Sequence, residues 1–168
     1  MKITKATLED IPELEKLINS AYRGDESRKG WTTEADLLEG KRVDEASLAE
    51  IINEPNSVIL KHTSDNRITG SVYLKKNGNI MYLGMLTVSP LLQAGGLGKK
   101  ILKASEEYAV QQGCNTVEMR VIPFRVELID WYKRRGYYDT GIKIPYPADD
   151  TLSIQLKPVE FTMLEKKL

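Results

Sequence analysis

The sequence predicts an α/β (α+β) fold, with a single mixed, mostly antiparallel sheet flanked by helices on both faces. Segments with strand periodicity and segments with helix periodicity are interleaved along the chain, which favours one mixed sheet covered by helices. The 168 residues, 41% hydrophobic and 29% charged, are enough for one domain with a substantial core. No internal repeat, linker or low-complexity tract divides the chain, so we expect residues 1–168 to form a single domain.

The first predicted elements are a short strand and a helix. Lys2 to Ala6 alternates as strands do, and Thr7 with Asp10 three residues later is typical of a helix N-cap. Gly24 ends this helix, whose apolar residues recur at helical spacing: Ile11, Leu14, Leu17, Ile18 and Ala21.

The next segment is polar from Asp25 to Arg42 and predicts a loop with a short helix near Thr33 to Leu38. Asp44 caps a further helix, which Pro55 stops. The inner face of that helix comprises Leu48, Ile51 and Ile52.

The middle of the chain predicts an antiparallel meander. Ser57 to His62 forms a strand, and the turn Asp65-Asn66 leads into a second strand from Arg67 to Lys75. Alternation places four residues of the second strand on one face: Ile68, Gly70, Val72 and Leu74. Asn77-Gly78 is a hairpin signal, and the following strand, Ile80 to Ser89, is apolar on both faces, as expected of a central strand.

The last part of the chain alternates helices and strands. A helix follows Pro90, runs to about Gln112 and has Gly113 as its C-cap. Its inward residues are Leu97, Ile101, Leu102, Ser105, Tyr108 and Ala109. The remaining elements are a strand from Asn115 to Ile122, a helix from about Arg125 to Arg135, and strands from Tyr137 to Gly141 and from Val159 to Glu165.

Composition narrows the function classes. Lysine plus arginine equals aspartate plus glutamate, 24 each, which argues against a nucleic-acid binder but leaves room for a local basic patch. With one cysteine, Cys114, and one histidine, His62, the chain forms no internal disulfide and no Cys/His zinc site, so we expect no metal. His62 is interpreted as a strand-end histidine near solvent. The sequence has no membrane-length apolar run and no signal-peptide core, which predicts a cytoplasmic protein.

The segment from Gln93 to Gly98 is a glycine-rich turn between a buried strand and a helix. The first N–H groups of a helix lack internal partners and, with the helix dipole, favour an anion such as phosphate. Gly98 inside the first helical turn costs about 1 kcal/mol relative to alanine, which close approach of a pyrophosphate would offset. Without further signals, a plain strand-to-helix turn remains an equal alternative.

Two phosphate-binding motifs do not fit this turn. A Walker loop requires Gly at the position of Gln93 and Ser or Thr at that of Lys100. A dinucleotide fingerprint requires a third glycine at the position of Ile101.

The pattern Gln-x-x-Gly-x-Gly on Gln93, Gly96 and Gly98 resembles the acetyl-CoA signature of the GNAT N-acetyltransferase superfamily. Downstream, a helix carrying Tyr132 and followed by Gly136-Tyr137 resembles that family's second motif, and the predicted element order matches over nearly the whole chain. The resemblance implies acetyl-CoA as co-substrate, with the pantetheine arm on the backbone of Leu86 and Val88. It implies that the pyrophosphate lies on the N–H groups of the turn.

The cofactor-binding residues implied in this way are Leu86, Thr87, Val88, Gln93, Ala94, Gly95, Gly96, Leu97, Gly98 and Lys99. The family often has asparagine seven residues before the tyrosine, where this chain has Arg125, which is a further candidate for a phosphate or an acidic acceptor. Tyr132 is the expected catalytic residue, as the acid that protonates the departing sulfur. A backbone N–H, of Val88 or a neighbour, is expected to polarise the thioester carbonyl.

The general base and the acceptor stay open at this stage. Glu34 and Glu118 are candidate bases, as are tyrosines such as Tyr82, while Trp31 and Tyr22 are candidates for the wall of an acceptor pocket. For each candidate base, a structural or solvated role is the favoured interpretation. For Trp31 and Tyr22, a packing role is an equal alternative.

The expected function is acetyl transfer to a primary amine of a small molecule or peptide by direct attack, in a monomer or homodimer. The alternatives are a catalytically silent acyl-CoA-binding sensor of the same fold and a phosphate-binding protein of another class.

Overall fold

The computed structural model describes residues 2–23, 35, 38–93, 95–147, 152–156 and 159–168. Its helices are α1 (Ile11–Tyr22, after a 3-10 turn at Leu8–Asp10), α2 (Glu45–Asn53), α3 (Leu97–Gln111) and α4 (Val126–Lys133). Its strands are β1 (Lys2–Lys5), β2 (Leu38–Gly40), β3 (Ser57–Ser64), β4 (Arg67–Asn77), β5 (Ile80–Val88), β6 (Thr116–Val121), β7 (Tyr138–Pro145), β8 (Ser153–Gln155) and β9 (Glu160–Lys167).

Seven of the strands form one sheet in the order β1-β3-β4-β5-β6-β9-β7. All neighbours in it are antiparallel except β5 and β6, which run parallel. The predicted mixed, mostly antiparallel sheet is confirmed, and β5 lies at its centre. None of the helices in the described ranges is long and apolar enough to cross a membrane.

Helices cover both faces of the sheet, as predicted. On one face, α1 and α2 pack through residues such as Leu14, Ile18 and Leu48. On the other face, α3 and α4 pack through Ile101, Leu102 and Tyr132. The sheet is therefore the middle layer of three, and it has a hydrophobic cluster on each side.

Local signals in the sequence fix several element ends. The Thr7 N–H donates to the Asp10 carboxylate at 2.8 Å, so the predicted capping box forms around the 3-10 turn before α1. The Asp44 carboxylate accepts from the Ser47 N–H at 2.8 Å at the start of α2. Gly113, with φ +82°, follows α3 in the left-handed conformation that helix ends favour.

Two sequence-based expectations about the fold are wrong. Leu38, the last residue of the predicted short helix, instead begins β2, which pairs with the unpredicted strand β8; most of that predicted helix lies outside the described residues. Strand alternation predicts Ile68 on the same face as Val72 and Leu74, but Ile68 packs in the cluster of α1 and α2, whereas Val72 and Leu74 face α3. The pairing of β3 with β4 skips Thr69, and this bulge turns Ile68 to the other face.

The feature that positions the site is a divergence of β5 from β6. Only Ile80–Leu83 of β5 pairs with β6, and beyond Leu83 the two strands separate. In the same stretch Met85 and Leu86 lie opposite the single residue Val72 of β4, and Met85 has a φ of +50°. This bulge bends β5 away from β6 and opens the sheet at its centre.

Candidate active site

The opening beside β5 leads into a first cavity of about 180 Å³ between the divergent strand, the glycine-rich turn and α4. Its described lining residues are Tyr22, Leu86, Val88, Gln93, Gly96, Gly98, Lys99, Leu128, Trp131, Tyr132 and Arg135. The predicted tyrosine and glycine turn therefore line the same cavity.

The glycine turn presents backbone donors to this cavity. Gly96, the N-cap of α3, has φ +81°, which side chains other than glycine rarely adopt. The first helical bond runs from the Lys100 N–H to the Gly96 carbonyl, so the N–H groups of Leu97, Gly98 and Lys99 lie before it and lack intrahelical acceptors. The start of α3 is thus suited to an anion.

Gly98 faces the cavity. A Cβ atom built there would lie 3.5 Å from the Trp131 ring and 3.7 Å from Val88, both ordinary contacts. The protein itself therefore leaves room for a small side chain at this position, and the glycine keeps the passage between Trp131 and Val88 open.

Polar side chains engage the two β5 carbonyls that border the opening. Because the Ser89 N–H donates to Thr69 of β4 at 2.9 Å, the alternation of an antiparallel pair turns the backbone groups of Val88 towards β6. The Val88 carbonyl accepts from Gln93 Nε2 at 3.1 Å, and the Leu86 carbonyl accepts from the Tyr22 hydroxyl at 2.5 Å. Gln93 therefore holds the turn against the strand through its side chain.

Tyr132 is buried at the inner end of the first cavity, with 4% of its surface exposed. Its ring packs edge-on against Trp131 and Tyr137, at centroid distances of 5.1 and 5.7 Å. Burial raises the pKa of the Tyr132 phenol well above its usual value, although Arg125 acts in the opposite direction. The hydroxyl therefore keeps its proton and can act as a donor.

A second cavity of about 190 Å³ lies on the α1 side of the opening. It shares four lining residues with the first: Tyr22, Leu86, Leu128 and Tyr132. The two cavities consequently meet at the β5 bulge and the Tyr132 ring, a junction that groups from both sides can reach.

Four arginines line the second cavity: Arg23, Arg42, Arg120 and Arg125. The guanidinium groups of Arg42 and Arg125 lie 6.0 and 5.7 Å from the centre of the Tyr22 ring, and that of Arg120 lies 5.8 Å from the Tyr82 ring. Burial raises the pKa of Tyr82, while Arg42 and Arg120 act to lower it. None of the described residues lining this cavity is aspartate or glutamate.

The predicted site residues do not all line one cavity. Tyr22 lines both cavities, whereas Tyr82 and Arg125 line the second; Arg125 thus lies on the side away from the glycine turn. Glu118 pairs in register with Tyr82 but lines neither cavity. Trp31, Glu34 and Ala94 lie outside the described residues.

The Thr87 hydroxyl, the Gly95 N–H and the Leu97 side chain, by contrast, contact the protein itself. The buried Thr87 hydroxyl donates to the Met85 carbonyl at 2.8 Å, and Leu97 packs against the core. The Gly95 N–H donates to the Leu92 carbonyl at 3.4 Å within the turn.

The interpretation of His62 as a residue near solvent is wrong. It is 4% exposed, and its Nδ1 lies 2.7 Å from the Thr69 hydroxyl, away from both cavities. Burial lowers the pKa of its imidazole.

Sequence reasoning missed several lining residues. Arg135 lies over the Trp131 ring at 3.9 Å, and both line the first cavity. Trp131 and Arg135 are four residues apart in the predicted helix, and this spacing could have indicated that their side chains are in contact. Arg42 and Arg120 are distant in sequence, and no local pattern associates them.

Comparison with known proteins identifies a family. The family model described as an acetyltransferase (GNAT) domain matches residues 24–144, more than half of the chain. A mycothiol acetyltransferase of Clavibacter sepedonicus is 27% identical over 99 residues, covering 59% of this chain and 33% of that protein. A thialysine N-epsilon-acetyltransferase of Sus scrofa is 31% identical over 68 residues, covering 40% of each. The chain thus matches less than half the length of these curated relatives.

Solved structures agree on the fold. The PaiA N-acetyltransferase of Thermoplasma acidophilum, determined in complex with coenzyme A, superimposes with a TM-score of 0.70 at 17% identity. The superposition covers 99% of this chain and 98% of that one. At this identity the likeness shows the architecture alone.

Proposed function

We propose that this chain, which belongs to the GNAT acetyltransferase family, transfers an acetyl group from acetyl-CoA to a primary amine by direct attack. The observation that carries the proposal is the junction of the two cavities at Leu86 and Tyr132. One cavity has the anion-binding turn and suits the donor, and the other is open to an acceptor. Their meeting point lets an amine reach a thioester without a covalent enzyme intermediate.

The first cavity fits the donor's chemistry. The N–H groups of Leu97, Gly98 and Lys99 at the start of α3 would hold the pyrophosphate, and the Val88 carbonyl would accept a hydrogen bond from an amide of the pantetheine arm. When bound, acetyl-CoA supplies the activated thioester.

A wider surface cavity of about 600 Å³ begins at Lys99 and suits the negatively charged nucleotide end of the donor. Its described basic residues are Lys99, Lys103, Arg134, Arg135 and Lys166. Glu106 also lines it and forms an ion pair with Lys166 at 3.0 Å, which leaves the other four cations for the nucleotide.

Few side chains are needed for the reaction. The Val88 N–H, directed into the opening, or a neighbouring N–H would stabilise negative charge on the carbonyl oxygen. The nitrogen–carbon bond would form as the carbon–sulfur bond breaks. The Tyr132 hydroxyl would give its proton to the departing sulfur, and the proton that the neutral amine loses on attack would replace the one that Tyr132 gives up. The buried junction keeps water away from the thioester, which limits hydrolysis.

Two measurements test this proposal. Isothermal titration calorimetry with acetyl-CoA should give saturable binding, and a thiol-release assay over a panel of primary amines should detect free CoA in an amine-dependent manner. Binding without release across the panel would favour the silent acyl-CoA sensor. Absence of binding at millimolar acetyl-CoA would exclude both the acetyltransferase and the acyl-CoA sensor.

A further inference from the structure

The second cavity carries positive charge that the acetyl transfer itself does not require. Arg42 comes from the segment after β2, Arg120 from β6 and Arg125 from the start of α4, and all three line it. A primary amine is a cation in water, so a site selected only for amines would be expected to present carboxylates. The lining seen here has the opposite charge.

Arg42 and Arg120 are the two arginines whose charge is available. Neither forms an ion pair with a carboxylate in the described ranges of the chain; each contacts a tyrosine ring instead. Glu118, two residues before Arg120 on the same strand, does not come within ion-pair distance of it. By contrast, Arg23 is engaged by the Lys41 carbonyl and the Ser153 hydroxyl, so its role is structural.

The two arginines also converge. Arg42 lies over Tyr22, and both Arg42 and Arg120 are close enough to Tyr82 to influence its hydroxyl, on which the Glu118 carboxylate acts in the opposite direction. Tyr22 in turn donates to the Leu86 carbonyl at the junction. The positive charge therefore surrounds one pocket whose inner end is the junction at Leu86 and Tyr132.

We propose that the acceptor is a small amine that also carries a carboxylate, and that Arg42 and Arg120 bind this carboxylate in the second cavity. The inference rests on the proposed acetyl transfer and specifies its substrate class. Guanidinium groups bind carboxylates through paired hydrogen bonds, which fixes orientation as well as charge. With the carboxylate held there, the amine is directed towards the junction, and the cavity of about 190 Å³ has room for a small acceptor such as an amino acid.

The test compares amino acids with their carboxamides in the thiol-release assay. Suitable pairs are L-methionine with L-methioninamide, L-phenylalanine with L-phenylalaninamide, and L-lysine with L-lysinamide. The carboxamides have the less basic α-amine, so intrinsic reactivity at neutral pH favours them. We expect the wild-type protein to reverse this order, with kcat/KM at least 10-fold higher for the carboxylate of the preferred pair.

Arg42→Gln and Arg120→Gln should each lower kcat/KM for the carboxylate 10- to 100-fold and leave the carboxamide within about 3-fold. The ratio of kcat/KM for the amino acid to kcat/KM for its carboxamide is measured on one protein preparation, so it does not depend on the folded fraction. Arg67→Gln, at the exposed start of β4 and outside both cavities, is the matched control and should keep the wild-type ratio. Calorimetric affinity for acetyl-CoA should be unchanged in all three variants.

The possible results distinguish failure of the carboxylate assignment from failure of the proposed acetyl transfer. CoA release with equal or greater kcat/KM for the carboxamides would overturn the carboxylate assignment and leave acetyl transfer intact. Arginine variants that keep the wild-type ratio would overturn the role of Arg42 and Arg120. No release with any amine, despite acetyl-CoA binding, would refute the acetyl transfer itself and the acceptor class with it.

Discussion

Replacing Tyr132 by phenylalanine removes one hydroxyl from the junction and little else. The hydroxyl has no hydrogen-bond partner among the described residues, so its removal leaves no buried polar group unsatisfied. The ring contacts with Trp131 and Tyr137 at 5.1 and 5.7 Å remain available to phenylalanine. We therefore expect Tyr132→Phe to change the free energy of unfolding by less than about 1 kcal/mol.

The effect on turnover should be much larger than the effect on stability. General acid catalysis by a positioned side chain contributes about 10²–10⁴-fold. The thiolate of a thiol with a reference pKa of about 8.5 is already a fair leaving group, which favours the lower end of that range. We expect kcat to fall about 10²-fold, equivalent to about 2.7 kcal/mol in the barrier, with acetyl-CoA affinity within about twofold of wild type.

Steady-state thiol release and calorimetry provide the assay, and Tyr137→Phe is its matched control. Tyr137 is equally buried, but its hydroxyl donates to Glu106 at 3.0 Å and it lines neither cavity. That variant should lose stability and keep its kcat. Because burial raises the pKa of Tyr132, the acid stays protonated as pH rises, and wild-type kcat should show no alkaline loss up to about pH 10. An unchanged kcat in Tyr132→Phe would refute the role of this residue as the acid.

Two further predictions concern the turn and the sheet. Gly98→Ala should stabilise the unliganded protein by up to about 1 kcal/mol, because the new Cβ meets only ordinary contacts, and should weaken acetyl-CoA binding at least 10-fold. A variant that is more stable and binds acetyl-CoA equally well would show that the cofactor does not pass between Gly98 and Trp131. Burial lowers the folded-state pKa of His62, so its contribution to stability is present above the unfolded pKa near ~6.5 and is lost as pH falls below it. Between pH 7.5 and pH 5, denaturant unfolding should show a smaller loss in the free energy of unfolding for His62→Gln than for the wild-type protein. Equal losses would refute the contribution of His62.

The sequence was most informative where function and fold depend on local signals. Two parts of the candidate site follow short sequence patterns. The turn from Gln93 to Gly98 contains glycine because its left-handed N-cap requires it. The helix carrying Tyr132 is recognisable because residues on one helix face recur every three to four positions. The capping residues Thr7 and Asp44 were found for the same reason.

What the sequence did not reveal depends on distant contacts. Methionine is not a residue type that indicates a positive φ, so the sequence does not predict the backbone conformation of Met85. The bulge there results from the pairing of β5 with β4. The skipped residue Thr69, which turns Ile68 over, likewise exists only in the paired sheet. Arg42 and Arg120 are brought to one cavity by the topology, because β6 lies beside β5 while the segment after β2 reaches the same face.

A crystal structure with acetyl-CoA bound would show whether donor and acceptor meet at the junction. We expect the pyrophosphate on the N–H groups of Leu97 to Lys99, and the thioester carbonyl within hydrogen-bond distance of the Val88 N–H or its neighbour. We also expect the sulfur to face the Tyr132 hydroxyl and the acetyl group to be open to the second cavity. A thioester directed into solvent, or separated from Tyr132 and from the arginine-lined cavity, would refute acetyl transfer at this junction.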